Sequence, residues 1–162
     1  LLLRAFAAFV RDHGDYVLEL YGQGELEPEL RALATELKID NCVIFKGFSG
    51  RVLSDIRTAA MYVLSSDYEG ISNSMLEAMA LGLPVIATDC PIGGSRMYIR
   101  DGVNGFLVPV GDVSALARAM GRLADEPALG ERLGAEAVKL REELATVKIA
   151  DRFLALAGGN HE

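Results

Sequence analysis

The chain has 162 residues, of which 51% are hydrophobic, and a formal net charge of −7 at pH 7. This length and apolar content suit one domain with a sizeable core. The negative charge argues against nucleic acid or a membrane surface as a partner, because both are polyanionic. The two cysteines, Cys42 and Cys90, show no metal-ligand spacing, so we expect two buried free thiols.

The first half of the chain alternates between apolar runs typical of strands and amphipathic runs typical of helices. The predicted strands cover residues 16–21, 42–45 and 60–65. The predicted helices cover residues 2–12, the stretch from Leu26 to Leu37, and residues near 51–58. Four leucines at helical spacing predict the buried face of the second helix: Leu26, Leu30, Leu33 and Leu37.

The second half continues the alternation with a helix over 74–81, strands at 84–87 and 106–108, and two or three closing helices. The closing helices have predicted buried faces made of Leu116, Met120 and Leu123, and of Leu129, Leu133, Ala137, Leu140 and Leu144. Near-continuous apolar strands separated by helices indicate a parallel sheet joined by right-handed crossovers. The predicted fold class is therefore α/β, a doubly wound, Rossmann-like parallel sheet with helices on both faces.

The polar segment from Glu69 to Glu77 is the most informative part of the sequence for function. It reads Glu-Gly-Ile-Ser-Asn-Ser-Met-Leu-Glu and joins the strand at 60–65 to the helix at 74–81. It therefore lies at the carboxyl end of a strand and at the N-terminus of a helix. Doubly wound folds bind ligands there, because free backbone N–H groups and the helix dipole attract an anion. We expect a phosphate-bearing ligand.

A purely structural interpretation of the same segment is also available. Ser74 and Glu77 have the spacing of a capping box, in which the glutamate reaches back to the N–H of the capping residue. Glu69 would then be an ordinary solvated charge. The segment alone leaves both interpretations open.

Read as a whole, residues 69–89, EGISNSMLEAMALGLPVIATD, closely resemble the signature of family 4 of the retaining GT-B glycosyltransferases. Further matches stand in the same order and spacing: Gly22-Gln-Gly24, Phe45-Lys-Gly47, Ser65, Gly93-Gly94, and DGVNGFLVPVGD at 101–112. The resemblance covers about residues 1–157. It implies that residues 1–162 form the nucleotide-sugar-binding, C-terminal domain of a GT-B enzyme.

The resemblance also implies roles for individual residues. Glu69 would be the catalytic residue that faces the donor sugar, and Glu77 would accept hydrogen bonds from two ribose hydroxyls. The backbone of Gly70, Ile71, Ser72, Asn73 and Ser74 would hold the distal phosphate and the sugar. Three residues would border the base: Lys46, Gly47 and Phe48.

The implied reaction transfers a hexosyl group from a nucleotide-diphosphate sugar to an acceptor glycan or lipid with retention of configuration. A UDP-sugar is favoured over a GDP-sugar. Same-face attack and double displacement on a carboxylate both remain open as schemes. The sequence contains no Asp-x-Asp, so we expect neither a metal nor another cofactor. The implied location is cytoplasmic, at the inner face of the membrane, with peripheral association of the full-length protein.

The family pattern contains two parts that no residue here matches. One is a strand with a basic Gly-Arg…Lys-Gly loop before the position of Leu1, and the other is an N-terminal domain that binds the acceptor. We expect the strand to belong between the strands at 16–21 and 60–65. Without it, the domain would be unstable, close the gap by rearrangement, or borrow a strand, and the isolated chain would be inactive. A smaller departure is Met97, which stands where relatives place a glutamate in the stretch 95–98.

Two other classes of function are compatible with the same plan. One is an epimerase or phosphorylase fragment, and the other is a noncatalytic module that binds a nucleotide-sugar or a partner, because fold alone does not determine function.

Overall fold

Short parallel strands alternate with helices throughout residues 1–145, the part of the chain that the computed structural model describes. The strands are β1 (Leu18–Tyr21), β2 (Val43–Gly47), β3 (Tyr62–Leu64), β4 (Val85–Thr88) and β5 (Phe106–Val108). The helices are α1 (Leu2–Phe9), α2 (Glu27–Glu36), α3 (Val52–Asp55), α4 (Asn73–Ala80), α5 (Gly94–Tyr98), α6 (Val113–Asp125), α7 (Pro127–Ala137) and α8 (Leu140–Glu143). Residues 146–162 of the predicted domain lie outside the described part.

The strands form two sheets instead of one continuous sheet. β1 pairs with β2, and β3, β4 and β5 pair in that order, all in parallel. Within the described residues, β1 and β3 do not pair, and a cavity of about 720 Å³ lies between them. Residues 17–21 line it on one side and residues 61–66 on the other. The interruption lies where we expected a strand to be missing, and it stays open, so closure by rearrangement is not what the structure shows.

Helices cover both faces of the three-stranded sheet, as β4 shows best. All four residues of β4 are buried. Because successive strand residues point to opposite faces, Ile86 packs in a cluster with α1 and α6, whereas Val85 and Ala87 pack in a second cluster with α4, α7 and α8. The doubly wound α/β prediction is therefore confirmed.

The predicted helix faces are confirmed in the second half of the chain and partly wrong in the first. In α6 and α7 the apolar positions that we predicted are buried: Leu116, Met120, Leu123, Leu129, Leu133 and Ala137. In α2, however, Leu26 and Leu30 are exposed and Ala34 is buried. The guanidinium of Arg31 lies 4.2 Å from the centre of the Phe45 ring. The face of α2 that carries Arg31 and Ala34, instead of the first two leucines, therefore lies toward β2 and the core.

Candidate functional site

The start of α4 is capped by a residue other than the one that the capping-box pattern suggests. The N-cap is Ser72, whose Oγ accepts a hydrogen bond from the backbone N–H of Met75 at 3.4 Å. Ser74 lies inside the helix, and its Oγ accepts a hydrogen bond from the Tyr62 hydroxyl at 2.8 Å. The interpretation of Ser74 and Glu77 as a capping box is therefore wrong, because the helix begins before Ser74. Glu77 lies in the second turn of α4, and its side chain takes no part in capping the helix.

Both glutamates of the motif act on one tyrosine, Tyr62, which is the first residue of β3. Burial raises the pKa of the Tyr62 phenol, and the negative charges of Glu77 and Glu69 raise that pKa further. The carboxylate of Glu69 accepts a hydrogen bond from the Ser66 hydroxyl at 3.4 Å. Glu77 is exposed, and within residues 1–145 its carboxylate accepts no side-chain hydrogen bond. Both carboxylates of the motif therefore lie close enough to Tyr62 to raise its pKa.

The start of α4 opens into the cavity between β1 and β3. Ser65, Ser66, Ser74 and Glu77 line its wall at the carboxyl end of β3. The first N–H groups of any α-helix lack an intrahelical acceptor and carry a partial positive charge. The start of α4 therefore offers N–H donors for an anion close to the exposed carboxylate of Glu77.

The residues that we expected beside the base lie further away, at the end of β2. Lys46 Nζ lies 3.2 Å from Glu19 Oε1, and Phe48 is 79% exposed. Since β2 is one strand further from the gap than β1, none of Lys46, Gly47 and Phe48 lines the cavity. The Tyr21 hydroxyl donates to Glu19 at 2.7 Å, and burial together with this carboxylate raises the pKa of Tyr21 to about 12.

The connection between β4 and α5 contacts the backbone of the loop that carries the motif. The Thr88 hydroxyl donates to the carbonyl of Ser66 at 2.5 Å, and Cys90 Sγ contacts the carbonyl of Glu69 at 3.9 Å. No pattern in the sequence indicated a role in the site for Thr88, Cys90 or Tyr62. A usable signal was present for Thr88, because a polar residue that ends an apolar strand is buried only when its hydroxyl has a partner.

Neither a metal site nor a membrane-spanning helix is found in the described residues. Residues 1–145 contain no group of three or more His, Cys, Asp or Glu side chains placed to hold a metal ion. The helices in the same part of the chain are all too short or too polar to span a bilayer.

Curated glycosyltransferases are similar to this chain over most of its length. The lipopolysaccharide core biosynthesis glycosyltransferase LpsE of Rhizobium meliloti is 32% identical over 140 residues, which are 86% of this chain and 41% of LpsE. A D-inositol 3-phosphate glycosyltransferase of Streptomyces griseus is 42% identical over 119 residues, 72% of this chain and 25% of that protein. The chain thus spans less than half the length of the curated relatives that it matches.

Solved structures agree with this result. A variant of S. aureus TarM, in complex with fondaparinux, α-GlcNAc-glycerol and UDP, matches 96% of this chain and 31% of its own with a TM-score of 0.88 and 25% identity. The C-terminal domain of a group 1 glycosyl transferase, LpcC of Francisella tularensis, matches with a TM-score of 0.79 and 24% identity, over 88% of this chain and 76% of its own. The predicted GT-B C-terminal domain fold is confirmed. The family model for glycosyl transferases of group 1 matches residues 1–126, and the chain belongs to this family.

Proposed function

We propose that this chain is the donor-binding domain of a retaining, family 4 glycosyltransferase that transfers a hexosyl group from a nucleotide-diphosphate sugar. The observation that carries the proposal is the placement of Glu69 and Glu77. The two carboxylates flank the start of α4 and both raise the pKa of Tyr62, and Glu77 also lines a large cavity. This arrangement leaves the carboxylates and the helix N–H groups available to one extended ligand.

Each group of the motif suits a different part of such a ligand. The exposed carboxylate of Glu77 can accept two hydroxyl protons at once, as a ribose requires. Backbone N–H groups between Gly70 and Ser74 suit the distal phosphate. In the reaction, negative charge grows on that phosphate as the glycosidic bond breaks, and fixed N–H donors stabilise it. Glu69, held by Ser66, faces the sugar in this proposal.

UDP is the favoured nucleotide of the proposal. TarM, which is 25% identical to this chain, has been solved with UDP bound. The base would extend from the cavity mouth toward the end of β2, where Lys46, Gly47 and the exposed ring of Phe48 lie. We place the full-length enzyme in the cytoplasm at the inner face of the membrane, with an acceptor glycan or lipid bound by a further domain.

The gap in the sheet supports the proposal that this domain contains one more strand. The N–H groups of Leu18 and Gly22 donate to the β2 side, and the N–H of Tyr62 donates to the β4 side. Because backbone groups alternate along a parallel strand, the intervening residues Glu19, Tyr21 and Val63 point their N–H and C=O groups into the gap. Unpaired groups of this kind at two facing edges match one inserted strand.

The order of the strands also supports one inserted strand between β1 and β3. If the inserted strand comes first in the sequence, the order across the sheet becomes 3-2-1-4-5-6, which is the order of doubly wound dinucleotide-binding folds. Such folds bind their ligand at the switch point between the first and fourth strands. In this chain, that point is the mouth of the cavity beside Ser65, Ser74 and Glu77. We therefore propose that a strand from before Leu1 completes the sheet and brings its following loop to the diphosphate.

The test uses the full-length protein with Glu69→Gln, Glu77→Gln and, as a matched control, Glu131→Gln on the exposed surface of α7. Glu69→Gln should lower turnover of a UDP-sugar by about 10²–10⁴-fold while leaving the Kd for UDP nearly unchanged. Glu77→Gln should raise the Kd for UDP by roughly tenfold or more, because hydrogen bonds to a charged acceptor are lost. The control should match the wild type in both measurements. Full turnover in Glu69→Gln, or a wild type that ignores UDP in calorimetry, would contradict the proposal.

A further inference from the structure

We propose that Gly94 is a positioning residue for the donor site, fixing the Gly70–Ile71 peptide from behind; the inference rests on the proposed function. Gly94 is buried at the start of α5. A Cβ atom at this position would overlap the carbonyl group of Gly70 and lie 3.0 Å from the backbone nitrogen of Ile71. Any side chain at residue 94 would therefore force the peptide of the site to move, since backbone atoms cannot yield as the end of a side chain can.

Two residues with left-handed backbone precede Gly94 and allow it to lie directly against the Gly70 carbonyl. Ile92 and Gly93 both have a φ of 75°, in the left-handed region. Left-handed backbone is rare for a β-branched residue such as Ile92 and persists where the surrounding structure demands it. Two successive left-handed residues turn the chain sharply, so that Gly94 meets Gly70.

Two more contacts from the same connection act on the same loop. The Thr88 hydroxyl donates to the Ser66 carbonyl, and Cys90 Sγ contacts the Glu69 carbonyl. Thr88 is 0% exposed and Cys90 is 1% exposed, so water does not compete for these contacts. Residues 88–94 thus touch three carbonyl groups of the loop that carries the motif, at Ser66, Glu69 and Gly70.

The direction of these contacts explains their value for binding. In a trans peptide, the N–H points away from the C=O of the same peptide plane. When the carbonyls of Glu69 and Gly70 face residues 88–94, the N–H groups of Gly70 and Ile71 must face the other way. Those two N–H groups are among the proposed donors to the phosphate. Gly94 therefore sets the orientation of donors that it does not itself supply.

The experiment compares Gly94→Ala with Gly134→Ala in the full-length protein. Gly134 is the matched control, because a Cβ there would overlap the carbonyl of Gly82, at the opposite end of α4 from the site. Both variants are studied at a temperature where circular dichroism shows them folded. Gly94→Ala should raise the Kd for UDP about tenfold to a hundredfold, as expected for donors displaced by about 1 Å. Gly134→Ala should bind UDP as the wild type does.

Amide chemical shifts add a measurement that does not depend on the ligand. In ¹H–¹⁵N NMR spectra, the amide signals of Gly70 and Ile71 should move in Gly94→Ala and keep their wild-type positions in Gly134→Ala. Equal UDP affinity and equal amide shifts in the two variants would overturn the inference. A wild type that does not bind UDP would count against the proposed function, and the comparison of amide shifts would still decide whether Gly94 positions the loop.

A second pair of variants applies if Gly94→Ala does not fold. Thr88→Val keeps the shape of the side chain but removes the hydroxyl that donates to Ser66, whereas Thr88→Ser keeps the hydroxyl. Thr88→Val should weaken UDP binding and move the amide signals of residues 69–71 in ¹H–¹⁵N NMR spectra, and Thr88→Ser should restore both toward the wild type. Indistinguishable behaviour of the two variants would count against a positioning role for the whole of residues 88–94.

Discussion

The two sheets of this domain are built differently, although both are parallel. In the site half (β3, β4, β5, α4 and α5), every residue of β4 is buried, and the loop of the motif is held by buried contacts from Thr88, Cys90 and Gly94. In the open half (β1, β2 and α2), the strands are only partly buried, and Ile44 is 45% exposed. The contrast indicates that packing is densest around β4 and the loop of the motif, whereas β1 and β3 border the gap from its two sides.

The largest expected difference between the halves is in how much an isoleucine of each contributes to the free energy of unfolding. Ile86 in β4 is 0% exposed, whereas Ile44 in β2 is exposed. Ile86→Ala should lower the free energy of unfolding by about 2–5 kcal/mol, because it leaves a cavity in a packed core. Ile44→Ala should change it by no more than about 0.5 kcal/mol. Urea unfolding, followed by circular dichroism, measures both.

Equal losses in the two isoleucine variants would show that the open half is as well packed as the site half. The comparison would then fail. A larger loss for Ile44→Ala would point to an occupant of the open half that covers this residue in solution.

The next effect concerns the helix that carries the motif. Ser72→Ala removes the N-cap of α4 and should lower the free energy of unfolding by about 1 kcal/mol. Glu77→Gln should leave stability almost unchanged, because Glu77 is exposed and takes no part in the cap. Thermal unfolding of the two variants without ligand makes the comparison. A loss of stability in Glu77→Gln equal to that of Ser72→Ala would restore the capping interpretation and weaken the proposed role in binding.

A smaller effect of opposite sign is expected at the turn before Gly94. Ile92 is 66% exposed and has a left-handed backbone, so its side chain contributes little burial while its conformation is strained. Ile92→Asn should raise the free energy of unfolding by roughly 0.5–1 kcal/mol, since asparagine tolerates this conformation better. A rise in the melting temperature with unchanged UDP affinity is the expected result. A fall in both would show that the isoleucine side chain contacts the ligand or another part of the full-length protein.

The sequence predicted most of the fold, since alternating apolar and amphipathic runs define the elements in both halves. It also predicted that the segment 69–77 joins β3 to α4, at the edge of the sheet where doubly wound folds bind ligands. The sequence-based prediction was wrong where a residue fitted a pattern but lies in a different environment in the structure. Leu26 and Leu30 fitted the helical period but are exposed, whereas Arg31 stacks on Phe45 and Ala34 is buried. Ser74 fitted the capping box, but Ser72 begins the helix.

Contacts between segments distant in the sequence were also beyond prediction. Gly94 carries no side chain whose chemistry could suggest a partner, and its contact with Gly70 depends on how two strand-to-helix connections pack. The hydrogen bond from Tyr62 at the start of β3 to Ser74 at the start of α4 depends likewise on how the two elements pack. Local patterns hold no information on such distances.

The smallest expected effect is a dependence of stability on pH that comes from His13, in the connection between α1 and β1. His13 Nε2 lies 3.1 Å from Asp125 Oδ1, and this hydrogen bond, with that to the carbonyl of Phe9, raises the pKa of His13 above its usual value. A raised pKa in the folded state means that the contact stabilises the protein fully below about pH 6.5, the ordinary value, and is lost as the pH rises through the folded value. Because Asp125 is 71% exposed, the contribution should stay below about 1 kcal/mol.

Melting temperatures at pH 5.5 and pH 8.5 measure this effect in the wild type, in Asp125→Asn and in Thr88→Ser. The wild type and Thr88→Ser should lose the same small increment between the two pH values, whereas Asp125→Asn should lose less. The reason is that the hydroxyl contact of Thr88 in the site half does not titrate in this range, while the ion pair beside the open half does. If Asp125→Asn showed the same change in melting temperature between the two pH values as the wild type, groups other than His13 and Asp125 would be responsible for it. The two halves would then not differ in how their contacts respond to pH.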